Sequence, residues 1–151
     1  MKGFGNKNEY NKRKGKRDKL SNSEKLIRKA LSFHEEGNIV EASKVYKDII
    51  CQEIYDSRVL LNYGQISRQT GDLEQAKKLY LKSIEKYPNK VEAYVNLSYL
   101  LKLNKELDKA MEYANKAIEI KEDFIPAYLS LAEILKELNL INQAEEIFKK
   151  A

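Results

Sequence analysis

Apolar positions recur three and four residues apart through eight stretches between residue 22 and the last residue, the spacing of amphipathic helices rather than strands. The pattern predicts helices over 22–36, 39–53, 57–70, 73–86, 91–104, 107–120, 125–138 and 141–151. Short polar breaks separate the members of each pair: Glu36-Gly37-Asn38, Thr70-Gly71-Asp72, Asn104-Lys105-Glu106 and Asn139-Leu140. Gly37 and Gly71 suit a left-handed residue just past a helix end. Asn38 with Glu41 and Asp72 with Gln75 read as capping boxes for the second helices, and Ser21 with Glu24 and Asn89 with Glu92 do the same for two first helices. Pro88 falls between pairs, where a helix must stop.

The pairs repeat. Ala30, Gly64, Ser98 and Ala132 follow one another at steps of 34, and Ala42, Ala76, Ala110 and Ala144 keep the same step. Tyr46, Tyr80, Ala114 and Phe148 form a third series, aromatic in three of four units, and Phe33, Ser67, Leu101 and Leu135 a fourth. The small residues of the first two series let the helices of a pair approach closely, and the large ones fill the space beside that contact. No such pair buries its apolar face alone, so the array is stable only when stacked.

These residues resemble the tetratricopeptide repeat family. In the second unit Leu61-Asn62-Tyr63-Gly64, Gly71-Asp72-Leu73, Glu74-Gln75-Ala76 and Tyr87-Pro88-Asn89 follow the family motif. The third unit matches through Ala93-Tyr94-Val95-Asn96-Leu97 and Asp108-Lys109-Ala110, and the fourth through Ala127-Tyr128-Leu129 and Gln143-Ala144. The first departs from it, with Lys29 where leucine is usual and no closing proline. The resemblance implies an all-α, right-handed α-solenoid of antiparallel helix pairs over 21–151, with units at about 23–56, 57–90, 91–124 and 125–151, the last truncated. For function it implies binding of another protein or peptide, since the fold alone names no partner.

In that family the first helices line a concave groove. Carried across, the groove positions are Glu24, Arg28, Leu31 and His34 in the first unit, then Arg58, Leu61, Asn62, Gln65 and Arg68 in the second. The third supplies Glu92, Val95, Asn96, Tyr99 and Lys102, and the fourth Leu129, Ser130, Glu133 and Lys136. Asn62 and Asn96 are equivalent, and asparagines there hold the backbone of an extended peptide in related arrays, because an amide both donates and accepts. Leu61, Val95 and Tyr99 would receive apolar side chains, while Arg58, Arg68, Glu92, Lys102 and Glu133 would set charge register. The family's carboxylate clamp is not expected: its five places hold Ile27, Leu31, Asn62, Glu92 and Asn96, of which one fits.

Charge is unevenly spread. The net +5 resolves into +6 over residues 1–20 and −1 beyond them. Residues 1–20 lack apolar periodicity and are expected to form a disordered basic leader. Its Lys12-Arg13-Lys14-Gly15-Lys16-Arg17 cluster reads as a solubilising tail, or as a weak contact with an acidic surface. Cys51 is the sole cysteine, no apolar run is long enough to span a bilayer, and a cytoplasmic protein is expected. Cys51 reads as a small packing residue, and His34 as a solvated histidine without partners for a metal. Glu35-Glu36 and Glu145-Glu146 read as solvated helix faces, and Tyr80, Tyr94 and Tyr128 as core. No phosphate loop, nucleophile elbow, catalytic constellation, metal or cofactor site is expected, so the chain is read as no enzyme. The sequence ends within the fourth unit's second helix, leaving the apolar side around Leu131, Leu135, Leu138 and Phe148 expected to be partly open. Self-association through that end, or membership of a larger bacterial enzyme such as a transferase, are the alternatives to a binding scaffold.

Overall fold

The computed structural model describes residues 22–150; the basic leader and the Ser21 cap lie outside them. Every regular element among the described residues is a helix. They divide into two compact units, one reaching Ile54 and one starting at Tyr55. The first holds α1 (22–35) and α2 (Ile39–Cys51). The second holds α3 (Ser57–Gln69), α4 (Leu73–Lys86), α5 (Val91–Leu103), α6 (Leu107–Ile120), α7 (Ile125–Glu137) and α8 (Ile141–Phe148).

The polar breaks turn the chain by one device in every pair. Gly37 and Gly71 take left-handed backbone at φ of 75° and 87°, as the breaks predict, and Lys105 and Asn139, at the same step of the repeat, do so at 61° and 58°. Glycine is therefore a convenience here and not a requirement. Caps are more varied than expected. Asp72 accepts from the Gln75 backbone N–H at 3.0 Å. Asn38 makes no side-chain cap bond, and Lys90 rather than Asn89 precedes α5, also without one. In place of the Asn89 cap, the Tyr94 hydroxyl donates to the Pro88 carbonyl at 2.9 Å and ties the linker to α5. Asp56 caps α3 by accepting from the Arg58 N–H.

Small residues sit where the helices cross. Ala30, Ala42, Ala76, Ser98, Ala110, Ala132 and Ala144 are all buried. Tyr80 lies directly over Gly64, so that a Cβ added there would stand 2.5 Å from its ring. In the second unit one apolar cluster links successive hairpins, from Ala76 and Tyr80 on α4 through Leu97, Leu100 and Leu101 on α5 to Leu131, Ile134 and Leu135 on α7. Leu131 and Leu135 are thus buried against the preceding hairpin, contrary to the open end expected of them, and Leu138 is half-buried. Phe148, by contrast, is exposed, although Tyr46 and Tyr80 at the same step are fully buried. Tyr80 and Tyr94 are core, as expected, and Tyr128 is half-buried. Cys51 is exposed at the end of α2, where the helix has passed its last buried residue, Ile49, so the expectation of a packing role is corrected.

Candidate functional site

The first helices of the second unit are lateral neighbours: α3 packs beside α5, and α5 beside α7. Their buried faces carry Val59, Leu60, Ile66, Leu97, Leu100, Leu101, Leu131 and Ile134. The faces left over carry the residues that the family resemblance assigns to a groove. Leu61, Asn62, Gln65, Arg68, Glu92, Val95, Asn96, Tyr99 and Lys102 are half-buried, and Arg58, Leu129, Glu133 and Lys136 exposed. Half-burial leaves these side chains partly reachable from solvent.

The side chains fall into distinct states. Neither Asn62 nor Asn96 hydrogen-bonds its amide to any described residue, so donors and acceptors on two adjacent helices remain available. Arg58 is tied to Asp56, with Nε and Nη2 donating to its two carboxylate oxygens at 3.0 Å each. Glu92 is paired with Lys90 at 3.1 Å. Tyr99 is flanked by two cations, with the Arg68 guanidinium 4.9 Å and the Lys102 ammonium 4.8 Å from its ring centre. Lys102 is in turn ion-paired with Glu133 on α7.

Ser130 stands apart. It occupies the step of the repeat that holds Asn62 and Asn96, yet it is buried, with its hydroxyl 3.0 Å from that of Ser98, which donates to the Ala110 carbonyl at 2.7 Å. The short side chain reaches inward because Ser98, in place of Gly64, offers it a polar partner. Ser130 therefore braces α7 on α5 rather than lining the surface.

Two buried phenols carry displaced ionisation. Burial pushes Tyr80 upward, opposed by the nearby Arg68 charge and its hydrogen bond. Tyr46 in the first unit is pushed up to about 12, by burial first and the Glu35 charge second. In that unit Arg28 pairs with Glu24 at 3.1 Å, Leu31 is half-buried, and His34 meets the Tyr46 ring edge-on at 6.3 Å. Among the described residues no three His, Cys, Asp or Glu side chains are gathered so as to hold a metal, and no helix is long and apolar enough to cross a membrane. What residue-by-residue reasoning missed was the pairing of Arg68 with Tyr99, which lie on different helices.

Family models decide the identity of the fold. One tetratricopeptide repeat model matches residues 79–112 and a second matches 57–90 and 125–151, together more than half of the chain. The chain belongs to the tetratricopeptide repeat family. Solved structures agree with this tetratricopeptide repeat assignment. A crystal structure of MamA superposes with a TM-score of 0.79 at 23% identity, over 91% of this chain and 81% of that one. A tetratricopeptide repeat protein from Parabacteroides merdae gives 0.73 at 24% identity, over 85% of this chain and 51% of the other. The first repeat domain of Spaghetti (RPAP3), bound to the HSP90 peptide SRMEEVD, gives 0.71 at 15%, over 78% of this chain and 93% of that one. At these identities the likeness is one of fold. No curated protein matches the chain significantly.

Proposed function

We propose that this tetratricopeptide repeat chain is a non-catalytic scaffold that holds an extended segment or helix of a partner protein against α3, α5 and α7. The observation that carries the reading is the free state of Asn62 and Asn96, equivalent amides on adjacent helices with no partner among the described residues. Unused donors and acceptors at one repeat spacing match the main-chain amides of an extended ligand. Leu61, Val95 and the Tyr99 ring offer apolar contact between them, and the mixture of Arg58, Arg68, Glu92, Lys102 and Glu133 suits a ligand of mixed charge. The peptide on the RPAP3 domain illustrates that this architecture can hold one. The clamp residues for its terminal carboxylate are missing here, so SRMEEVD itself is not the expected ligand. An exposed, unpaired Cys51 fits a reducing, cytoplasmic setting.

The test is the double substitution Asn62→Ala and Asn96→Ala, used beside the wild type as bait for affinity capture. Each lost amide contact is worth about 1 kcal/mol or more, so binding should fall at least about tenfold with the thermal melt unchanged. Capture of the same proteins in equal amount by both baits, at equal helicity, rejects the groove.

A further inference from the structure

We infer that Arg68, braced on Tyr99, forms a subsite for a single carboxylate within the groove. The inference rests on the groove reading and names the chemistry of one ligand position. Of the groove's arginines, Arg58 already has a carboxylate across its fork. Arg68 has none among the described residues; it lies over an aromatic face, 4.9 Å from the ring centre of Tyr99. A guanidinium stacked this way is fixed in plane and keeps its N–H edge for a bidentate acceptor. The carboxylate that reaches the cluster, Glu133, is held by Lys102. Glu137, which also feels Lys102, is tied to Lys105, so neither carboxylate is left to compensate Arg68. The Tyr80 hydroxyl, which also feels the Arg68 charge, is neutral and does not compensate it. One guanidinium fork and one uncompensated charge match a monoanionic carboxylate. A phosphate dianion would call for a second unpaired cation, and Lys102 is engaged.

The source of the carboxylate is either an acidic side chain or a chain terminus, and small probes separate them. The full chain, labelled with 15N, is titrated at low salt with N-acetyl-aspartate N-methylamide, with N-acetyl-alanine, with N-acetyl-asparagine N-methylamide and with inorganic phosphate, and the Arg68 Nε–H signal is followed. A saturable shift with one or both carboxylates and not with the amide is expected. It should weaken at least ~10-fold in Arg68→Gln, read at the neighbouring Lys102 and Tyr99 signals, and only in part in Arg68→Lys. A side-chain source gives the stronger response with the aspartate probe, a terminal source with N-acetyl-alanine. No saturable shift, an equal shift with the neutral amide, or phosphate binding more than ~10-fold tighter than either carboxylate overturns the assignment. The groove itself is judged separately, by the asparagine pair: partner capture lost in that double variant but kept in Arg68→Gln sinks the subsite and leaves the groove standing.

Discussion

Substituting Gly64 by alanine tests the packing of Tyr80 against α3. In a helix interior alanine is about 1 kcal/mol better than glycine, so propensity alone makes Gly64→Ala stabilising. The structure opposes this: the new Cβ would lie 2.5 Å, 2.9 Å and 3.1 Å from three ring atoms of Tyr80, where ordinary contact begins at 3.4 Å. Tyr80 is fully buried, so its ring cannot swing aside, and α3 and α4 must part instead. Overpacking of this kind costs about 1–3 kcal/mol. An overlap on several atoms of a rigid ring belongs to the upper part of that range, leaving a net loss of about 1–2 kcal/mol. The cycle is completed with Tyr80→Ala, which introduces the residue that the third repeat carries at the same step, as Ala114. With the ring gone, Gly64→Ala should reverse sign and stabilise by about 1 kcal/mol. Urea unfolding followed by circular dichroism, with an osmolyte added to all four proteins to keep the Tyr80→Ala background folded, reads both legs. Equal effects of Gly64→Ala in the two backgrounds would refute the argument from ring contact.

Two further expectations follow from buried polar groups. Ser98→Ala strands the buried Ser130 hydroxyl and should cost about 1–2 kcal/mol, while adding Ser130→Ala should recover part of that; an additive double variant in urea unfolding would contradict the pairing. Tyr46 keeps its proton to about pH 12, above its ordinary value of 10.0, so the folded state binds the proton more tightly than the unfolded one. Its contribution is therefore complete below pH 10 and is lost as pH rises from 10 to about 12, and absorbance titration of Tyr46→Phe should lose a phenol that ionises near pH 12. An unchanged alkaline titration in that variant would disprove it.

Helix existence was legible because the 3.6-residue pattern and the 34-residue step reinforce each other. The predicted helices run past the observed ends by at most a few residues, since the terminal turn is shared between helix and loop. Caps were less legible. Asn38 and Asn89 have the right chemistry, yet a left-handed residue just before α2, and the Tyr94–Pro88 hydrogen bond before α5, already define those starts. Cys51 and Ser130 were misplaced for a common reason: their type fits either an interior or a surface. For Ser130 the answer depended on Ser98 across the helix interface, and for Cys51 on α2 ending just beyond Ile49.

Which groove residues touch was not visible in the 34-residue step, because that step relates equivalent positions and equivalent positions do not meet. In the observed pairs a residue's lateral neighbour on the next first helix lies two or three residues before its equivalent. Lys102 with Glu133 are separated by 31 residues, and Ser98 with Ser130 by 32. Arg68 with Tyr99 obeys the same rule, and it is the case in which an aromatic ring stands where the next unit places a carboxylate. That exchange is what leaves the Arg68 charge unspent while Lys102 is neutralised. The side-chain contacts between neighbouring first helices are therefore set by the offset between units, not by the motif of any one of them.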